Sequence, residues 1–330
     1  MIDFEDFPKV SFDTWKAKAE KDLKDKQIDD ELNWSPEPGI TLGAYYDASL
    51  KDEYQYITNF FSAIDFPKWK LYECITIESD SNANKKALEA LENGCDGVIF
   101  ELSKGSKHDL EVLLRGVLVD ICDISFRGSE AMSLASKLKS GKVQGGLIFQ
   151  NSDKKSIEGF RTLVVDSENP TPTDAIAEMV SKAIALLDEG YAASEIFFFT
   201  KSDKNFFVEI AKNRAIRFLM SAYLENQGRA EEIKDLFIYA EPKIGADYKS
   251  TMISNATIGL ANVVSGVNAI SFELGTDKAE SFSKRIARNT GNLLREEAKL
   301  TFAKDPVAGN YFLDYLTHQY GSIAWDKING

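Results

Sequence analysis

The chain has 330 residues, 44% of them hydrophobic, and carries 52 acidic against 39 basic side chains for a net charge of −13. That balance argues against broad binding to nucleic acid or to an anionic membrane surface, since both need a positive field to displace counterions. No apolar run reaches the ~18 residues of a bilayer span, and the length is ample for one large core.

The start, "MIDFEDFPKVSFDTWK", lacks the basic and apolar regions of a secretory signal. Cys74, Cys95 and Cys122 are odd in number and show no C-x-x-C spacing. The expectation is a reduced cytoplasmic protein without disulfide or metal.

Residues 1–65 read as an aromatic N-terminal arm and 66–330 as the main domain. Phe12, Trp15, Ala19 and Leu23 recur at three- and four-residue steps, which predicts a helix with one apolar side. "WSPEPGITLGAYY" then reads as an irregular crossing, because its prolines and glycines interrupt regular pairing. Phe4, Phe7, Phe12, Trp15, Trp34, Tyr45 and Tyr46 are the candidate partner-docking residues of the arm. An apolar patch of this kind is uncommon on the free surface of a monomer.

From residue 69 a strand–helix rhythm begins. Short β-branched or aromatic runs occur at 71–79, 96–102, 120–128, 145–150, 161–167, 195–202, 235–241 and 269–275. Most are separated by helical patterns that open at Ser, Thr, Asn or Asp and close at Gly, such as "NANKKALEALENG" and "TDAIAEMVSKAIALLDEG". The fourth connection is short. Eight apolar strands alternating with helices predict a parallel (β/α)8 TIM barrel with an extended N-terminal arm, since closure removes the exposed sheet edges.

"SFSKRIARNTGNLLREEAKL" (281–300) gathers three arginines and two lysines after the eighth strand. Phe282, Ile286, Leu293, Leu294 and Ala298 fall at helical spacing, predicting an inner apolar side with Arg285, Arg288 and Arg295 on a solvated outer one.

Reactive groups of a barrel sit at the C-terminal strand ends. The candidates there are Glu78, Glu101, Arg127, Gln150, Asp166, Thr200, Lys201, Glu241 and Glu273. Such a rim could place two carboxylates about a glycosidic bond or hold a hard cation, but neither signal is specific. Only His108 and His318 occur, neither with a second histidine at ligand spacing. "GKVQGG" precedes a strand instead of opening a helix, against a phosphate cradle. "IFFFT", "VIF", "LFIY" and "ISFEL" put bulky side chains on both strand faces, which predicts a filled axis.

With these residues in view the chain resembles the adenosylcobalamin-dependent methylmalonyl-CoA mutases, the small (β) subunits of heterodimeric forms in particular. "FPKVSFDTWKAKAEKDLK", "LNWSPEPGI", "ALENGCDGVIFEL", "FFVEIAKNRAIRFL", the 281–300 stretch, "DPVAGNYFLDYLT" and "AWDKI" carry the resemblance in order along nearly the whole chain. It implies a cytosolic barrel whose arm wraps a large catalytic subunit. In active chains of the family, acyl-CoA threads a bore lined by small hydroxyl residues.

The departures bear on activity. "PKWKLYECITIES" keeps Trp69 but no T-x-R-G-Y-D-like loop follows, no histidine lies near "PTPTDAIAEM", and Ser254 stands where an arginine would lie. The cobalamin domain with its D-x-H-x-x-G loop would follow the barrel, and the sequence ends at Gly330. The resemblance therefore implies no catalytic, cofactor-binding or metal residue here, with adenosylcobalamin held by the partner. It implies a support for the interconversion of methylmalonyl-CoA and succinyl-CoA. Three alternatives stay open: an active acyl-CoA mutase barrel using a separately encoded cobalamin domain, an unrelated hydrolase using rim carboxylates, and a homodimer.

Overall fold

The structure, a computed structural model, describes residues 10–24, 26–64, 68–138, 143–150, 152–275 and 279–330. Ahead of the barrel come helices α1 (Phe12–Leu23) and α2 (Ile28–Leu32), an antiparallel hairpin of β1 (Trp34–Glu37) and β2 (Ile40–Leu42), and helix α3 (Lys51–Ala63). The barrel strands are β3 (Lys70–Thr76), β4 (Gly97–Glu101), β5 (Asp123–Arg127), β6 (Gly146–Leu147), β7 (Phe160–Arg161), β8 (Leu163–Val165), β9 (Ile196–Ser202), β10 (Ile238–Pro242) and β11 (Ala269–Ser271).

Seven of these form one parallel ladder in the order β5-β4-β3-β11-β10-β9-β8. The gap is closed by β6. Phe126 bridges Ile148 in parallel, and Gly146 and Leu147 pair with Phe160 and Arg161. With β7 and β8 counted as one strand broken at Thr162, eight parallel strands complete the ring. All eight predicted strand positions recur, and the fold is a (β/α)8 barrel.

Helices α4 (Asp80–Glu92), α7 (Pro172–Asp188), α8 (Phe206–Asn226), α9 (Tyr248–Val264) and α10 (Glu280–Asn292) cover the ring, whereas α5 (Leu110–Leu113) and α6 (Ala131–Ala135) are single turns. No helix lies among the described residues between β6 and β7, which fits the short fourth connection. A further helix, α11 (Tyr311–Asn329), packs on α7 and α8 and is covered by α3.

Alternation along the strands sorts the apolar side chains into two cores. Leu71, Ile75, Val98, Phe100, Ile124, Phe126, Phe198 and Ile270 face the helices. Tyr72, Cys74, Ile99, Leu147, Phe149, Phe197 and Tyr239 fill the axis.

Helix α8 is unusual in burying polar groups along its length. Arg214, fully buried, donates to both carboxylate oxygens of Asp305 at 3.0 and 2.9 Å and to Asp314 at 3.3 Å, and lies 3.7 Å over the ring of Phe61. Thr58 donates to Asp314 from α3. Arg217 donates to the Gly266 carbonyl and to Asn268 Oδ1 at 2.9 and 2.8 Å, while Asn213 donates to Asn262 Oδ1 at 3.0 Å. These groups tie α8 to α3, α9, α11 and the 305 loop, because a buried polar atom left unpaired costs more than the pairing gains.

The basic stretch of α10 differs from its sequence expectation. Arg288 is only 6% exposed and pairs with Glu73 of β3 at 3.3 Å and Glu89 of α4 at 2.6 Å. Arg295, just past α10, donates to Asp96 and to the Gly94 carbonyl at 2.8 and 2.6 Å. Leu293, expected inside, is exposed. The helix turns its small side toward the sheet: a Cβ added at Gly291 would sit 2.6 Å from Leu71 Cδ1. At so close an approach the long cations reach neighbouring carboxylates instead of solvent; of the three arginines only Arg285 keeps an exposed place.

Candidate functional site

The C-terminal barrel mouth gathers Glu101, Arg127, Glu241 and Glu273 above the axial core. Each follows an inward-facing residue by two positions: Glu101 after Ile99, Arg127 after Ser125, Glu241 after Tyr239 and Glu273 after Ser271. Arg127 donates to Glu101 at 3.2 Å and to Glu241, while its guanidinium lies 4.2 Å over Phe149 and 5.5 Å over Phe199. Burial opposes its charge, but Tyr239, Cys74 and Glu241 outweigh this and raise its pKa.

Beneath it Tyr239 donates to Glu241 at 2.6 Å and shares a 2.6 Å hydrogen bond with Ser271. Burial raises the Tyr239 hydroxyl and the Cys74 thiol well above their ordinary values, so neither supplies an anion near neutrality.

On the neighbouring side Lys284 of α10 donates to Glu273 and to the Cys74 carbonyl, both at 2.7 Å. Burial raises Glu273 although Lys284 partly offsets it. Lys201 stands 3.6 Å from Glu168, and both side chains are largely exposed.

The remaining candidates are elsewhere. Glu78 accepts from Asn82 at 3.0 Å, and Lys182 donates to the Asp166 backbone oxygen at 2.8 Å. Gln150 is exposed, while Thr200 is buried on the helix-facing side of β9, its strand neighbours Phe199 and Lys201 taking the inward direction. The sequence reading missed Lys284, Tyr239 and Ser271. The two strand residues could have been found by counting two positions back from each rim acid; Lys284 comes from a helix, and only the tertiary contact brings it in.

Among the described residues no group of three or more His, Cys, Asp or Glu could hold a metal ion. His318 lies away from the strand ends, on α11, sharing a 2.5 Å hydrogen bond with Tyr56 of α3. His108 sits between Asp80, 2.7 Å from Nδ1, and Ser106, 2.6 Å from Nε2. That order is the serine-hydrolase one, yet the Ser106 hydroxyl also donates to the Ser103 carbonyl at 2.6 Å and the histidine side chain is 6% exposed. Asp80 accepts as well from the Asp109 backbone N–H at 2.8 Å. The arrangement clamps the loop after β4 to the start of α4.

The mouth is a set of mutually neutralised charges resting on packed rings. Phe149 meets Phe197, Phe199 and Tyr239 at centroid distances of 5.2, 5.6 and 5.5 Å, and Tyr72 stacks on Tyr239 at 6.0 Å.

In the arm, Phe4 and Phe7 lie outside the described residues. Phe12, Trp15 and Tyr45 cluster, with Trp15 and Tyr45 stacked at 5.1 Å. No residue of α1 is buried, and Phe12 is 47% exposed. Trp34 packs against the main core, and Tyr46 packs on Phe312 and Tyr315. The hairpin is anchored by Glu37, which accepts from the Thr173 hydroxyl at 2.5 Å and its backbone N–H at 3.2 Å at the start of α7.

Residues 174–330 match the family model described as methylmalonyl-CoA mutase. The chain is 27% identical to the methylmalonyl-CoA mutase small subunit of Porphyromonas gingivalis, covering 98% of this chain and 63% of that one. To the small subunit of Streptomyces virginiae it is 24% identical, covering 97% and 63%. It thus spans 63% of the length of these curated relatives. Among solved structures, Yersinia pestis DHPS with a pterine-sulfa conjugate matches with a TM-score of 0.42 and 12% identity, over 83% of this chain and 100% of that one. So loose a likeness adds nothing to the strand pairing itself. With the mutase model on its C-terminal part and small-subunit similarity along nearly all of its length, the chain is similar to the methylmalonyl-CoA mutases.

Proposed function

We propose that this chain acts as the small subunit of a methylmalonyl-CoA mutase. It would be a non-catalytic cytoplasmic barrel (residues 66–330) that supports a large subunit carrying adenosylcobalamin and interconverting methylmalonyl-CoA and succinyl-CoA. The observation that carries the reading is the filled axis: Tyr72, Phe149, Phe197 and Tyr239 occupy the space an acyl-CoA would have to thread. The rim agrees, since its cations Arg127 and Lys284 are already spent on Glu101, Glu241 and Glu273.

The arm supplies the contact. Phe12, Trp15 and Tyr45 give α1 an apolar side with little cover from the rest of the described chain, while Glu37 and Trp34 hold its base to the barrel. A stable heterodimer buries on the order of 1,600 Å² or more.

The test is to mix the chain with a large mutase subunit and follow mass by light scattering. A one-to-one complex weakened by Trp15→Ala is expected, and two unassociated species would overturn the reading. Titration with methylmalonyl-CoA separates the rival of an active barrel, which requires saturable binding by the isolated chain.

A further inference from the structure

At the opposite, N-terminal end of the barrel lies a cavity of about 630 Å³ bounded by Lys70, Tyr72, Asp123, Leu147, Arg161 and Phe237. Its volume falls within the ~300–1,000 Å³ of small-molecule sites. The axial core above it closes its inner end, so a ligand there is compact and does not thread the barrel.

The charges are unevenly matched. Lys70 donates to Asp123 at 2.6 Å, and Tyr72 donates to the same carboxylate oxygen at 2.5 Å, so that cation is neutralised. Among the described residues no carboxylate pairs with Arg161. Its Nη1 donates to the carbonyls of Ala193 and Ile196, both at 3.0 Å, and its guanidinium lies 4.7 Å over Phe237. The Nε–Nη2 edge stays available to the cavity. Burial pulls its pKa down to about 10, and Asp235, Tyr72 and Asp123 offset only part of that effect.

The walls are shaped for the purpose. Gly146 lies so close to β5 that a Cβ there would sit 1.9 Å from the Ile124 carbonyl oxygen. On this side, then, the wall is backbone, leaving the floor to Leu147, Tyr72 and the Phe237 ring.

We propose that this end of the barrel binds a compact monoanionic carboxylate with a flat apolar body, its carboxylate held side-on by the Nε–Nη2 edge of Arg161 and its apolar part on the Phe237 floor. A guanidinium edge matches the two oxygens of a carboxylate. A single spare cation with Asp123, Glu158 and Glu195 on the lining disfavours a dianion such as phosphate.

The probe is benzoate, titrated calorimetrically into the full chain, with inorganic phosphate and benzyl alcohol as controls. Saturable millimolar or tighter binding of benzoate is expected, at least ~10-fold tighter than either control, a margin a charge-assisted contact supplies. Arg161→Met should abolish it. Because that change also removes the carbonyl contacts, Ser194→Trp serves as a second variant: it fills the exposed rim and should block binding with an unaltered melting temperature. Failure of benzoate to bind, equal binding of phosphate or benzyl alcohol, or undiminished affinity in Ser194→Trp overturns the assignment. None of these outcomes touches the subunit role, which is read from association with the large chain.

Discussion

Glu73 offers the sharpest test of how the barrel is wired to its outer helices. It lies on the helix-facing side of β3, 4% exposed, with Arg288 at 3.3 Å. Burial raises its pKa from 4.5 to about 7, although Arg288 and Lys284 pull it back. A carboxyl whose folded pKa exceeds its unfolded one favours the fold when protonated. Its contribution is therefore complete below pH 4.5 and is lost as pH rises to about 7.

At ~1.4 kcal/mol per pH unit, the interval corresponds to about 3 kcal/mol. Glu73→Gln removes this titration. In urea denaturation from pH 4.5 to 8, the variant should gain on the parent by up to about that amount, with the gain confined to this window. Other carboxyls titrate alike in both chains and cancel in the difference. A stability difference between parent and variant that stays constant across the window would refute the reasoning.

Other outcomes follow from the same structure. Arg214→Ala strands Asp305 and Asp314 in the core and should cost about 3–5 kcal/mol, whereas Arg214→Met combined with Asp305→Asn and Asp314→Asn should cost far less, measured by chemical denaturation. Phe197→Ala opens the axial core and should cost about 3–5 kcal/mol without conferring methylmalonyl-CoA binding, checked by denaturation and calorimetry. Glu37→Ala removes the carboxylate at the start of α7 and should cost about 1–2 kcal/mol, with faster proteolysis of the arm as the readout. Ser106→Ala should leave the chain folded with no loss of any hydrolysis of p-nitrophenyl acetate, since the His108 contact is a loop clamp.

The amino-acid order by itself determined the strand succession, because apolar runs of strand length separated by capped helical patterns admit few other architectures. Period-2 alternation also made the filled axis legible: "IFFFT" must send a large ring inward whichever register it takes. The likeness to the methylmalonyl-CoA mutases was legible for a different reason, the ordered run of similar segments from the arm to "AWDKI".

What the sequence could not give was direction around a helix and reach across the fold. Arg288 sat in a pattern that reads as a solvated stripe, and Lys284 beside it carries no signal of its own. The Arg288 partners Glu73 and Glu89 are remote in the chain, and the close seat of Gly291 on Leu71 brings them within range; Glu273 is nearer in sequence, but its contact with Lys284 depends on how α10 packs beside β11. The same holds for Thr200, whose side is set by strand register, and for the cavity around Arg161, assembled from the starts of several strands. Local pattern reports what a segment can bury; which charges meet is decided by packing, because Coulomb interactions strong enough to matter require the short distances and the low dielectric of an interior.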